Sequence, residues 1–167
     1  IRDPEDSDAT QHAINWHSKQ VTVVSLSGLY EVGKSFVVGS VLQQIQQEKE
    51  ATGSAEPLCF IVVDELNRYA PRDGWSPIGE RLLEIAERGR SSGTILIGAQ
   101  QTASEVERRI VANPAFRIVG RLDAAEAERA EYGFLPPTLR QRAAILTSGR
   151  MIVSQPDIPT PIPILFP

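Results

Sequence analysis

The sequence predicts an α/β fold: a mostly parallel sheet flanked by helices. Segments of aliphatic and β-branched residues alternate along the chain with segments whose apolar residues recur every three or four positions. The strand segments are apolar almost throughout, as strands covered on both faces are, with little polar–apolar alternation. Asp64, Glu65, Gln100 and Arg121 fall at or just past the ends of such segments. In parallel sheets that is where ligands sit.

The elements follow in order. Residues 1–18, "IRDPEDSDATQHAINWHS", are polar and irregular and read as a linker or a truncated edge, with residues 19–167 as the domain. His12 and His17 lie in this stretch with no convergent Cys or Glu pattern, so they read as solvent-facing rather than as a metal pair. "VTVVSLSG", residues 21–28, reads as a strand because it is rich in β-branched residues. Residues 35–50 read as a helix, with Val37, Val41 and Ile45 in one line and Val38 and Leu42 beside it. "LCFIVVDE", residues 58–65, is the second strand. Residues 76–88 form the next helix, capped by Ser76 with Pro77 at its first position and Ile78, Leu82 and Ile85 facing inward.

"GTILIGAQ", residues 93–100, is the third strand. Residues 102–113 read as a helix in which Thr102 and Glu105 have capping-box spacing. "AFRIVGRL", residues 115–122, is a fourth strand, and "DAAEAERAEY" starts a helix with Asp123 and Glu126 in the same relation. "RQRAAILTSGRMIVSQ" suggests a hairpin through Ser148-Gly149, and "IPTPIPILFP" an extended tail broken by proline.

The composition narrows the possibilities. The 167 residues suffice for one domain with a real core, and 41% of them are hydrophobic. The one cysteine, Cys59, sits in an apolar run and reads as a buried structural thiol; it leaves no partner for an intramolecular disulfide. No signal peptide or membrane span is recognisable, so the expectation is a cytoplasmic protein. The net charge of −4 is unevenly spread: residues 66–150 carry thirteen arginines, no lysine and ten acids. Arginine suits ion pairs and phosphate contacts; nucleic-acid binding is compatible with this charge but not required by it.

The paired acids at the end of the second strand carry the chemistry. A carboxylate at a strand tip holds a magnesium ion, often through water. Its neighbour can then accept a proton from attacking water, as phosphoryl transfer requires. Asp64 suits the first role and Glu65 the second, whereas the bland alternative is a strand running into a polar turn. Gln100, at the end of the next strand, can sense a γ-phosphate or orient the water. Arg88 and Arg90 precede that strand and could reach a nucleotide on a neighbouring subunit. They equally suit an ordinary helix C-terminus, where the dipole favours cations.

"GLYEVGKS", residues 28–35, matches the phosphate-loop pattern between a predicted strand and a predicted helix. In a working loop, Lys34 would reach the β- and γ-phosphates and Ser35 would bind magnesium. Tyr30 and Glu31 at its centre argue against that, being bulky or acidic where a tight anion-binding turn favours small neutral residues.

With those residues in view, the chain resembles the HerA branch of the HerA/FtsK superfamily. The likeness lies in "VTVVSLSGL", "FVVGSVL", "FIVVDELNRYAP", the long segment from "LLEIAERGRSSG" through "GRLDAAEAE", and the closing "IPTPIPILFP". The resemblance implies the later part of a RecA-like P-loop NTPase core, incomplete at its N-terminus. It implies a hexameric ring that uses ATP and Mg2+ to translocate double-stranded DNA, in end processing, repair or defence, with a nuclease partner in some cases. By the resemblance, Asp64 binds magnesium, Glu65 activates water, Gln100 is the polar sensor, and Arg90 acts in trans, with Arg88 a weaker match. Arg121 lies in a phosphate-proximal or interface region. The family's own phosphate loop lies upstream, so "GLYEVGKS" departs from its pattern. Two other readings stay open: a compact nucleotide-binding protein or kinase that uses Gly28–Ser35, and an interaction module without hydrolysis.

Overall fold

A computed structural model describes residues 21–166. The expected linker, His12 and His17 fall outside the described residues. The chain divides into two compact units at Gly53.

The first unit contains helix α1, Glu31–Thr52, which ends at Gly53 in the left-handed conformation. Leu42, Ile45 and Lys49 are its buried residues, with Val37, Val38 and Val41 half-buried beside them. The predicted apolar line is therefore the inward one. The strand expected over residues 21–28 is not formed: the chain there is irregular and then turns. Val21 and Val23 are 75% and 85% exposed. β-Branched residues favour a strand only where a neighbouring strand completes the ladder, and among the described residues none pairs with this segment.

The second unit begins with β1, Cys59–Val63, followed by the single turn α2, Leu66–Tyr69. Helix α3, Pro77–Ser92, leads into β2, Thr94–Gly98. Ser76 caps α3 as predicted, its hydroxyl accepting the Gly79 N–H at 3.2 Å, with Pro77 in the first turn. The helix ends at Gly93, whose positive φ (68°) turns the chain back into β2. β1 and β2 are parallel, Cys59 opposite Thr94 and Val63 opposite Gly98. This is the right neighbour relation for a strand–helix–strand unit.

The sheet is smaller than predicted. β1 and β2 form a two-stranded parallel sheet, while β3 (Arg117–Val119), β4 (Arg150–Ser154) and β5 (Ile162–Leu165) form a separate antiparallel one. An apolar run announces a strand without announcing its direction, and β3 finds its partner in β4. Nor is β1 covered on both faces: Cys59, Ile61 and Val63 are buried, while Phe60 and Val62 are 58% and 69% exposed. The expected hairpin at Ser148-Gly149 is a turn leading into β4, whose second partner is the proline-broken tail. Pro163 is tolerated because β5 is an edge strand.

The predicted helix over 102–113 is broken. Residues 103–105 make one tight turn, and α4 covers only Arg108–Ala112, capped by Glu107 rather than Thr102. Between them Val106 is extended and fully buried and bridges to Pro71. Likewise the helix expected from Asp123 shortens to α5, Ala124–Ala127. A further helix, α6, Pro137–Ala143, was not anticipated, although Pro136-Pro137 followed by Leu139 and Ala143 is a helix-start pattern. Ala103, Val119, Tyr132, Leu135, Ala143, Leu146 and Ile152 form a common core there.

Leu82 is fully buried at the centre of α3. Replacing it by alanine leaves a cavity, and chemical denaturation should show a loss of about 2–5 kcal/mol. A loss below about 1 kcal/mol would mean that α3 does not hold the sheet as described.

Candidate functional site

The site lies at the C-terminal tips of β1 and β2. Their ladder continues past the last paired residues: Ala99 N–H donates to Val63 O at 2.9 Å, and Leu66 N–H donates to Ala99 O at 3.0 Å. Asp64 and Glu65 therefore occupy one tip and Gln100 the adjacent one, a strand spacing of ~4.8 Å between backbones. All three are exposed and open to a ligand.

Glu65 has φ 52° and ψ 51°, and it is the one non-glycine residue with positive φ among the described residues. That conformation is costly for a side chain with a Cβ. It turns the chain so that Leu66 N–H can reach Ala99. The Glu65 N–H in turn donates to Asp64 Oδ1 at 2.9 Å, which orients the first carboxylate. The Glu65 carboxylate meets Arg68 Nε at 2.8 Å, in a half-exposed pair. Gly98 lets this turn sit close: a Cβ there would lie 2.5 Å from Leu66 Cδ2.

The loops leaving the two tips are bound to each other. Arg72 N–H donates to Glu105 O at 2.8 Å, and Glu107 N–H to Ala70 O at 2.9 Å. Asn67 Nδ2 donates to Glu105 Oε2 at 3.2 Å. Arg72 also donates to Ser104 O at 2.9 Å and to Glu131 Oε1 at 2.6 Å. The buried Glu126 carboxylate accepts the Ser104 N–H at 3.0 Å and its hydroxyl at 2.6 Å. Ala103 N–H donates to Tyr132 Oη at 3.2 Å. Nothing in the spacing of the sequence announced this network. The capping-box spacing pairs Glu126 with Asp123, yet its carboxylate goes to a loop 22 residues earlier.

Two groups in the network titrate away from their ordinary ranges. A backbone hydrogen bond lowers the Glu131 carboxyl most, with Arg72 adding to it against an opposing push from burial. Burial pushes Tyr132 up to about 12.

The other predicted residues stand elsewhere. Arg88 and Arg90 are exposed in the last turns of α3, at the N-terminal edge of β2. Gln100 lies two residues beyond the other end of that five-residue strand, which itself spans ~13 Å. Arg121 is exposed just past β3, in the antiparallel sheet. Lys34 and Ser35 lie in the first turns of α1, which already begins at Glu31. The Lys34 N–H is bonded to Tyr30 O at 2.9 Å and its ammonium to Glu31 Oε1 at 2.8 Å. Gly28–Ser35 thus forms a turn and the start of α1.

Among the described residues no group of three His, Cys, Asp or Glu side chains could hold a metal ion. Asp64 is the residue that could hold a magnesium ion, through water, beside a nucleotide. No helix of the described residues is long and apolar enough to cross a membrane.

These elements make an α/β fold with Asp64, Glu65 and Gln100 at parallel strand tips. No protein-family model matches the chain, and no curated protein matches it in sequence. In structure it is similar to the genome packaging NTPase B204 from Sulfolobus turreted icosahedral virus 2. The likeness to its complex with ATP-gammaS has a TM-score of 0.59 at 10% identity over 87% of this chain and 66% of that one. For the complex with AMP the values are 0.62, 13%, 90% and 69%. For the complex with AMPPCP they are 0.58, 10%, 80% and 62%. The chain thus spans about two thirds of the viral protein's length, and what they share is the fold.

Glu131 ionises more readily in the folded chain than in the unfolded one. Its contribution is present above the usual carboxyl value of 4.5 and lost as pH falls through its lowered one. Stability measured from pH 6 down to pH 3 should therefore fall more steeply in the native protein than in Glu131→Gln. Identical slopes would show that the Glu131 carboxylate does not couple folding to protonation.

Proposed function

We propose that the chain is part of an ATP-hydrolysing motor that translocates double-stranded DNA as a hexameric ring, in DNA end processing, repair or defence. Within it, residues 19–167 form the later part of the motor domain. One observation carries the reading: Asp64-Glu65 and Gln100 stand on adjacent parallel strand tips, in a fold shared with an NTPase solved with ATP analogues.

In this reading Asp64 would hold a magnesium ion, which would supply positive charge to offset what develops on the transferred phosphate. Glu65 takes the proton from the attacking water, so its carboxylate must swing from Arg68 toward the phosphate. The Gln100 amide orients that water from the adjacent tip. Arg90 lies at the opposite end of β2, so it serves a nucleotide on the neighbouring subunit and stabilises transferred charge there. Arg121 contributes at the same subunit boundary. A nuclease would be the partner in end processing.

The same geometry weighs against the compact enzyme. A phosphate at Gly28–Ser35 would meet the Glu31 carboxylate in the first turn of α1, and Lys34 would have to leave Glu31. Lys34 and Ser35 therefore take no part in phosphate binding in this reading.

In the full-length protein, Glu65→Gln should retain ATP binding and lose turnover by roughly 100-fold or more. Chelating magnesium should stop the wild type, and Lys34→Ala should bind ATP unchanged. Loss of binding in Lys34→Ala, with turnover intact in Glu65→Gln, would replace the motor by the compact enzyme.

A further inference from the structure

Ser104 lies four residues beyond Gln100 and is half-buried, between the buried Ala103 and Val106. Every polar atom it has is held. Its N–H and hydroxyl go to the two oxygens of Glu126, at 3.0 and 2.6 Å, and its carbonyl accepts from Arg72 at 2.9 Å. Glu126 is only 8% exposed. The residue before Ser104 donates its N–H to Tyr132, and the residue after it is tied to Asn67 and Arg72 on the loop that leaves Glu65.

A buried carboxylate is costly to keep and is retained where all its bonds are made. What a two-oxygen acceptor adds is direction: it fixes both the position and the rotation of the Ser104 backbone. Gln100 hangs from that anchor by three intervening residues and from β2 on its other side.

We propose that Glu126 is a positioning residue that holds Gln100 in register with Glu65, with Ser104 as the gripped element and Arg72 as the link between the two tips. This rests on the hydrolytic reading of the tips and adds residues that touch neither nucleotide nor water. Misplacing a group that orients a reactant by about 1 Å can cost up to roughly 100-fold in rate.

The test compares Glu126→Ala, Glu126→Gln and Ser104→Ala in the full-length protein. Glu126→Ala should lower kcat for ATP by roughly 10- to 100-fold and leave the affinity for ATP-gammaS within about twofold, the ligand being held elsewhere. Glu126→Gln keeps an acceptor for the N–H and a donor for the hydroxyl, and it should restore most of the rate. Ser104→Ala removes the shorter bond only and should fall between them; it carries the comparison if Glu126→Ala does not fold. Amide hydrogen exchange over residues 100–106 should accelerate in the order of the rate losses.

Faster exchange with kcat unchanged would overturn the positioning role while leaving the hydrolytic reading intact. Unchanged exchange would show that Glu126 does not anchor the loop, and would also overturn it. If the wild type bound no nucleotide, or Glu65→Gln turned over normally, the hydrolytic reading and this proposal would fall together.

Discussion

Two backbone hydrogen bonds organise the candidate site: Ala99 N–H to Val63 O, and Leu66 N–H to Ala99 O. They carry the parallel pairing of β1 and β2 past the point where the strands end. The tips therefore cannot splay, and the acids of one stay beside the amide of the other. A parallel pair needs a crossover to return the chain, and α3 supplies it. The helix ends at Gly93 with backbone directly beyond it, leaving no room there for a Cβ. Its fully buried Leu82 keeps the unit packed, a contribution of about 1.5–3 kcal/mol.

The second bond has a cost. For Leu66 N–H to reach Ala99, Glu65 takes a left-handed conformation, at about 1–3 kcal/mol of strain for a residue with a Cβ. Glycine or asparagine would bear that conformation more cheaply. A glutamate kept in the least comfortable position of the turn is easiest to understand if its carboxylate is needed there. The half-exposed pair with Arg68 does not account for it, since such pairs contribute about 0–1 kcal/mol. The network around Ser104 lies beyond the other tip, so polar bonds act on both sides of the site beside the buried Leu66 and Val106.

Local chemistry made some of this legible from sequence. Ser76-Pro77 started α3 as expected, the apolar run before Asp64 is β1, and Gln100 ends the neighbouring strand region. Where tertiary partners decided the outcome, the local signals misled. Val106 lies inside a helix-like pattern, yet its side chain is buried only in an extended conformation, so the helix breaks there. Asp123 caps α5, whereas Glu126, at the same capping-box spacing, is spent on Ser104. Arg72 gave no signal because its partners, Ser104 and Glu131, lie 32 and 59 residues away. Residues 21–28 have the composition of a strand, but a strand requires a neighbour.

The central claim is spatial, and one structure tests it most directly: a crystal structure of the full-length protein with magnesium and a non-hydrolysable ATP analogue. The account predicts the terminal phosphate between the two tips, with Asp64 against the ion's water shell and Glu65 and Gln100 flanking the γ-phosphate. Phosphates seated instead on Lys34 and Ser35, with the tips facing empty solvent, would contradict it.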